Sequence, residues 1–513
     1  MDDEILDFWR HAQNAPDHIA LVDEKLVKWP AGRVLAEANR ISHGLQSLGI
    51  SPGNVVAVLM PQCAELILTW LAVSQIGAYL VVLNPKLPLE QSRFILSDSG
   101  AGVLLVHKGA VGSRVVAELI SLSGIICVSI GDIPGCRQYA EVFSSCRTSA
   151  PSQRTLGAVL AYTSGSTGRP KAVLRQVAHE PPEMIMRPLI RWFRQALGVS
   201  AAGSGVHLCA CPLYFGAPLL YASCALHLGH TLVLMPGWNP RLALQLLESH
   251  AITTTFMVPF QFISLLQMPA DVRARYSSRS LEAVIHGSAP CPVAIKQAML
   301  DWWGDVIFEV YAATEMGATV ASPSDWRAFP GTVGRMASSQ DLRICDEHGE
   351  ELPPGRPGTI FMRRHGTNAF VYKNDPEKTQ AQRRGDFVTV GDIGYKNEAG
   401  FLFLLDRRDD LIICRGEHIY PALVESVFAG HPLVADCVAF GVPHAEWGEE
   451  VRVAVQLVSG VTASSDVASD LERFLRSGSA VQLPAVRVEL VEQIPRDESG
   501  KLQRRRMRKQ AND

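Results

Sequence analysis

Short apolar runs alternate with helical segments along the first part of this chain. The runs lie at 19–22, 55–60, 79–83, 103–107 and 125–130, and the helical segments at 31–48, 64–75, 89–97 and 111–121. That alternation points to α/β layers around a parallel sheet, because parallel strands need a long crossover and a helix supplies it. Further apolar runs follow at 206–211, 231–235, 253–258, 281–286 and 306–311. In open parallel sheets, ligands bind beyond the carboxyl ends of the strands. The residues there are Cys211-Pro212-Leu213-Tyr214-Phe215-Gly216, His286-Gly287-Ser288-Ala289-Pro290 and Tyr311-Ala312-Ala313-Thr314-Glu315. All three stretches turn polar, small or aromatic just past an apolar run. No short-period repeat is present.

With 513 residues the chain exceeds one ordinary core, so two or more domains are expected. The pattern loosens into a connector around 137–154. From Gly331 the texture becomes short strands and turns, at 341–345, 359–362, 387–390 and 401–405. Five charges in a row then follow, Asp406-Arg407-Arg408-Asp409-Asp410. A solvated turn is the plain reading, and a hinge with few contacts crossing it is the other. Beyond lie strands at 411–414, 437–442, 451–457 and 487–490, helices at 422–430 and 467–476, and a basic tail over 501–509. The expected layout is a large N-terminal α/β domain with a β-rich subdomain over 1–405, a hinge at 406–410, and a small C-terminal α+β domain over 411–513.

The densest chemistry sits at Tyr162-Thr163-Ser164-Gly165-Ser166-Thr167-Gly168-Arg169-Pro170-Lys171. An apolar run over 157–162 stops and gives way to hydroxyl residues and glycines. Glycine lets backbone approach a ligand closely, hydroxyls donate, and successive N–H groups form an anion nest. Arg169 and Lys171 add positive charge. The stretch suits phosphate oxygens, although a flexible surface loop has the same composition. It is not a Walker A loop, because Pro170 separates Gly168-Arg169 from Lys171.

Composition narrows the setting. The chain is 47% hydrophobic and 19% charged with net charge −3, which implies no bulk attraction to nucleic acid or to a membrane. The start, Met1-Asp2-Asp3-Glu4, lacks a signal-peptide pattern. The apolar region 55–83 is broken by Pro61, Gln62, Glu65, Gln75 and Gly77, so no membrane span is expected. Eleven cysteines, none in a Cys-x-x-Cys pair, read as reduced and buried in a cytoplasmic protein.

Taken together and in order, these motifs resemble the adenylate-forming superfamily of acyl-CoA synthetases, peptide-synthetase adenylation domains and beetle luciferases. The resemblance covers nearly the whole chain. Residues 163–171 look like its phosphate loop, and 311–315 are similar to its Tyr-Gly-Ala-Thr-Glu element. Gly391-Asp392 matches its ribose-binding aspartate, and 406–410 its hinge, with Asp409 at the pivot. Arg415-Gly416-Glu417 resembles the pantetheine-channel loop, and Gly500-Lys501 the catalytic-lysine motif. Ile419-Tyr420-Pro421-Ala422 and residues 441–449 look most like fatty and aromatic acyl-CoA synthetases.

The resemblance implies ATP, Mg2+ and coenzyme A as cofactors, and an AMP-forming acid–thiol ligase working by domain alternation. A carboxylate would attack the α-phosphorus of ATP, and CoA thiol would then attack the acyl-adenylate. Thr163, Ser164, Gly165, Ser166, Thr167, Gly168 and Lys171 would hold phosphates. Glu315, with Thr314, would hold Mg2+. Tyr311 and Ser288, Ala289 and Pro290 would sandwich adenine. Asp392 and Arg407 would bind ribose. Lys501 would swing in on the mobile small domain to bridge carboxylate and α-phosphate, and rotation about Asp409 would then present Gly416 to pantetheine. By the same resemblance the acyl pocket comprises Phe215, Ala217, Pro218, Phe260, Gly287, Ala312, Met316 and Gly317. These are mainly apolar, which favours a hydrophobic carboxylic acid, such as a bulky acid of bacterial secondary metabolism. A homodimer is compatible with the pattern.

Three residues depart from the family at the reacting centre. Ala172 and Ala312 stand where glycine is usual, and Phe215 where histidine is frequent. Each adds atoms where backbone must approach substrate, and a misplacement of about 1 Å can cost roughly 100-fold in rate. A variant with impaired adenylation that performs mainly thioester formation is therefore an alternative. A second is an adenylating enzyme loading a separate carrier protein, since only a short tail follows Lys501. A binding protein that retains nucleotide affinity without turnover is a third, against which Glu315, Asp392, Arg407 and Lys501 argue. A luciferase-like oxygenase shares the same motifs.

Overall fold

The computed structural model describes residues 7–121, 124–163, 170–175, 180–201, 203–363, 370–407, 410–415, 417–428, 431–444, 446–478, 486–496 and 502–512. The chain is mixed α/β and divides into two compact units. The first comprises Met1–Phe256, Ala270–Val284 and His365–Ala381, and the second Met257–Pro269, Ile285–Arg364 and Gln382–Asp513.

The alternation at the start of the chain becomes a six-stranded, all-parallel sheet in the first unit. Its order is Arg137–Gln138, Ile126–Ile130, Ala101–His107, Val55–Leu59, Tyr79–Val82 and Ala158–Val159. Every residue of the central strand Val55–Leu59 is buried, as expected for a strand covered on both faces. The helix Ala64–Gln75 is buried almost all round. The connector around 137–154 departs from expectation: it contributes the short edge strand Arg137–Gln138 and the helix Tyr139–Phe143.

Also in the first unit, Val206–Cys209 pairs in parallel with Thr231–Leu234 and with Thr254–Met257. Ile19–Val22 joins Thr231–Leu234 in parallel and turns back on Lys28–Pro30. The Gln62 amide donates to the carbonyls of Cys209 at 2.6 Å and Met235 at 3.0 Å, tying the loop after Val55–Leu59 to these strand ends. A separate antiparallel sheet, ordered Phe370–Tyr372, Lys171–Arg175 and Ala161–Thr163, carries the stem of the phosphate-loop motif.

In the second unit, Ile307–Ala312 and Ala318–Ala321 form a hairpin. The β-rich segment orders as Arg383–Arg384, Phe387–Val388, Gly358–Arg363, Asp392–Lys396 and Leu402–Arg407, with Leu342–Cys345 on Gly358–Arg363. The C-terminal sheet orders as Glu417–Ile419, Ile412–Cys414, Gly448–Leu457 and Val434–His444, and Val486–Val491 adds in parallel to Gly448–Leu457. Period-two alternation sends Ala439 into a core with Val453, Leu471 and Leu475 on one face. Val438, Phe440 and Val442 go to the other face with Ile494 and Met507. Met507 lies on the helix Arg504–Asn512, so the basic tail is folded and anchored by an apolar residue. No helix among the described residues is long and apolar enough to cross a membrane.

Candidate active site

In the second unit, Tyr311 lies near the end of the strand Ile307–Ala312, with Asp392 at the start of Asp392–Lys396. The Tyr311 phenol donates to Asp392 Oδ2 at 2.7 Å. Asp392 faces Arg407 across the antiparallel ladder, and Arg407 Nε stands 3.5 Å from Asp392 Oδ1. That Oδ1 is buried and, among the described residues, accepts no hydrogen bond. Burial, then the Asp392 carboxylate, pushes the Tyr311 phenol well above its ordinary value, so it stays a donor. A carboxylate with one bonded oxygen and one buried, unsatisfied oxygen is an acceptor waiting for donors, which suits the vicinal hydroxyls of a ribose.

Thr314, Glu315, Met316 and Gly317 occupy the loop that joins the hairpin strands, and Glu315 and Met316 are buried. Ala312 pairs with Ala318 at the mouth of the hairpin and is an exposed residue. At Gly287 an added Cβ would stand 2.4 Å from the Val310 carbonyl oxygen, so only glycine lets these backbones pass. The next residue, Ser288, holds φ at +67°, a left-handed conformation that a serine adopts at a cost. It is exposed, with Ala289 and Pro290 following. Phe260 is 44% exposed, large for an apolar ring.

In the first unit, Thr163 and Lys171 are paired in register, so the loop motif leaves and re-enters adjacent antiparallel strands. Lys171 Nζ lies 3.6 Å from Asp375 Oδ2. Ala172 projects to the opposite face from Lys171, as neighbours on a strand do, and joins an apolar core with Leu160 and Val81. Phe215 precedes the helix Gly216–His227, with its ring centroid 4.7 Å from that of Tyr214, and Ala217 sits in the first turn.

Ser164, Gly165, Ser166, Thr167, Gly168, Asp409, Gly416 and Lys501 lie outside the described residues. Their neighbours are described. Asp406 Oδ2 accepts the N–H of Ala422 at 3.0 Å. Arg504 makes two 2.7 Å bonds to the carboxylate of Glu425. Arg415 holds φ at +54° and stacks its guanidinium 4.7 Å from the Trp447 ring, against which His444 lies at 3.9 Å.

The AMP-binding enzyme family matches residues 8–370, and the AMP-binding enzyme C-terminal domain matches residues 423–501. The chain belongs to the AMP-binding enzymes. As such it is an adenylating, ligase-type enzyme of the adenylate-forming superfamily, with a larger N-terminal and a smaller C-terminal domain. This AMP-binding enzyme is 29% identical to the fatty acid–[acyl-carrier-protein] ligase ScoC of Streptomyces coeruleorubidus, over 97% of this chain and 94% of that protein. It is 29% identical to a feruloyl-CoA synthase of an Amycolatopsis species over 90% of each. Among solved structures, it shares a TM-score of 0.81 and 25% identity with the o-succinylbenzoate CoA synthetase of Bacillus subtilis in complex with its acyl-adenylate intermediate, over 98% of each chain. The amide bond synthetase McbA from Marinactinospora thermotolerans shares the fold, with a TM-score of 0.82 at 24% identity over 98% of this chain and 99% of that one.

Two clusters of this AMP-binding enzyme are invisible to motif reading. Lys296, fully buried, donates to Glu309 Oε2 at 2.7 Å, with its ammonium 5.2 Å from the Trp326 ring centroid. His286 Nε2 stands 3.5 Å from the same oxygen. Burial raises the Glu309 carboxyl, with Lys296 opposing, and holds His286 neutral. Glu309 lies two residues before Tyr311, and His286 directly before Gly287. The second cluster centres on Asp98, whose Oδ2 accepts the Tyr162 phenol at 2.7 Å.

Proposed function

We propose that this chain is an AMP-forming acid–thiol ligase that makes the CoA thioester of a hydrophobic carboxylic acid through an acyl-adenylate. The observation that carries the reading is Asp392, half-buried and held by Tyr311 and Arg407, with its buried Oδ1 left to accept. Binding a nucleoside there orients ATP, and the rest is positioning and charge neutralisation.

In the proposed first step a carboxylate oxygen of the acid attacks the α-phosphorus, and the bond to the bridging oxygen breaks to release pyrophosphate. Lys171 and the loop before it hold the polyphosphate. Lys501 neutralises the charge that builds on the α-phosphate. Glu315, a buried carboxylate, fits a role in holding Mg2+ together with Thr314, and the ion supplies further charge neutralisation on the polyphosphate. In the second step the CoA sulfur attacks the acyl carbon, the thiol proton is lost, and AMP leaves. Rotation of residues 411–513 about the 406–410 hinge, with Asp409 as pivot, separates the two steps and exchanges Lys501 for the Gly416 loop. The apolar character of Phe215, Ala217, Phe260, Met316 and their neighbours supports a hydrophobic acid. Ala172 faces the core rather than the loop, which supports retained adenylation.

A second reading keeps adenylation and changes the acceptor: the similarity to ScoC, named as a ligase for an acyl carrier protein, supports a carrier-borne phosphopantetheine thiol. The test supplies ATP, Mg2+, a panel of hydrophobic acids and either CoA or a phosphopantetheinylated carrier, and repeats each with synthetic acyl-adenylate. Acyl-CoA from both routes is expected. Acyl-CoA from adenylates alone would limit the protein to thioester formation, and product on the carrier alone would select the second reading.

A further inference from the structure

The side chains of three consecutive residues of the first unit join two parts of it around the phosphate-loop motif: Lys373 and Asn374 hold the end of the helix Leu89–Ser99, and Asp375 faces Lys171 on the stem. Lys373 Nζ donates to the carbonyls of Asp98 and Ser99, at 2.6 Å each. These are the last turn of the helix Leu89–Ser99, where a cation meets the negative end of the helix dipole. Asn374 Nδ2 donates to Asp98 Oδ1 at 3.1 Å, while Asp98 Oδ2 takes the phenol of Tyr162. Asp375 faces Lys171 through Oδ2 and caps the helix Pro376–Ala381 by accepting the Lys378 N–H on Oδ1 at 3.1 Å. Asn374 holds φ at +62°, a left-handed conformation that asparagine tolerates better than most residues.

The consequence is geometric. Tyr162 stands in the strand that enters the motif, and Lys171 opens the strand that leaves it. Both are tied to one turn that lies about two hundred positions later in the chain. The same turn is hydrogen-bonded to the stem by its backbone, Lys373 N–H to the Ala172 carbonyl at 3.0 Å. Lys171 and Asp375 are too far apart for a direct hydrogen bond, so the pair directs the ammonium electrostatically and leaves its N–H groups for another acceptor.

We propose that Lys373-Asn374-Asp375, acting with Asp98, is a positioning element that orients Lys171 toward the β- and γ-phosphates of ATP. Asp375 is the residue that acts on Lys171 directly, and none of the four touches substrate. The inference rests on the reading of Lys171 as a phosphate-binding residue of an ATP-dependent ligase.

The test exploits the difference between ATP and AMP, since only ATP carries the outer phosphates. Asp375→Asn removes the charge and keeps an acceptor for the Lys378 N–H, so the helix cap survives. Equilibrium binding of MgATP and of AMP is measured for the full chain, with Asn374→Ala and Asp375→Glu alongside. Expected is an affinity for MgATP lowered about tenfold in Asp375→Asn and in Asn374→Ala, unchanged affinity for AMP, and near-wild-type behaviour in Asp375→Glu. Thioester formation from synthetic acyl-adenylate should be unaltered. Unchanged MgATP affinity in both variants overturns the proposal. So does an equal loss for ATP and AMP, which would mark general destabilisation, or tighter ATP binding in Asp375→Asn, which would make Asp375 a competitor for Lys171. A wild-type protein that binds ATP no better than AMP would overturn the phosphate role of Lys171 and this proposal with it. The ligase reading is then judged separately, by acyl-CoA formation in the wild type.

Discussion

The phenol of Tyr311 and the carboxylate of Asp392, 81 positions apart in sequence, meet at 2.7 Å. One residue is expected to face adenine and the other to bind ribose, so in the proposed nucleoside site this single hydrogen bond would couple the two halves. Arg407, opposite Asp392 on the next strand, completes the group from the charge run 406–410.

Replacing Tyr311 by Phe leaves Asp392 Oδ2 without its donor. A hydrogen bond to a charged group contributes about 1.5–3 kcal/mol, so the KM for ATP should rise about tenfold or more while kcat changes less. Steady-state titration of ATP at saturating acid checks this. An unchanged KM would detach Tyr311 from the nucleotide.

Lys296 and Glu309 form a buried pair whose members behave differently alone and together. Lys296→Met strands Glu309 in the interior, and breaking such a pair is expected to destabilise by about 3–5 kcal/mol. The double variant Lys296→Met/Glu309→Leu removes both charges and should recover most of the loss. Urea denaturation followed by tryptophan fluorescence reads both. A double variant as unstable as the single one would contradict the charge argument.

Glu425 carries a pH signature. Burial pushes its carboxyl from 4.5 up to about 7, against the pull of Arg504. A raised folded value means that stability is fully present below about 4.5 and is lost as pH rises through about 7. Arg504→Gln removes the counter-charge, so the ionised carboxylate becomes harder to keep inside. The variant should therefore lose more stability, relative to wild type, at about pH 8 than at about pH 5.5. Thermal melts at the two values decide it, and an equal loss at both would show that Arg504 does not balance this charge.

Ala172→Gly restores the residue usual in the family. Its Cβ lies in the core on the face opposite Lys171, so the change should destabilise by about 0.5–1 kcal/mol and leave acid-dependent ATP–pyrophosphate exchange unimproved. A clear gain in exchange would mean that the methyl does reach the reacting centre.

Much of the fold was legible in sequence where the signal is local. The run 55–60 is apolar throughout and became the fully buried central strand Val55–Leu59. The strand expected at 306–311 is Ile307–Ala312, and the helix expected at 467–476 is Ser465–Gly478. Weak local signals misled: the basic run over 501–509 reads as a tail, yet Met507 anchors a helix there. Of the candidate site, Tyr311, Asp392 and Arg407 are legible as motif members and are brought together. Lys296, Glu309 and His286 are not, because single buried charges carry no spacing that marks them.

What the sequence determined by itself is the order of elements and the chemistry of each motif, since apolar period, hydroxyl and glycine content, and charge runs act over a few residues. The tertiary structure decided the partnerships: Asp375 with Lys171, Asp98 with Tyr162, Arg504 with Glu425. Each joins groups far apart along the chain, and only the packing of distant strands and helices brings donors, acceptors and opposite charges close enough to direct one another.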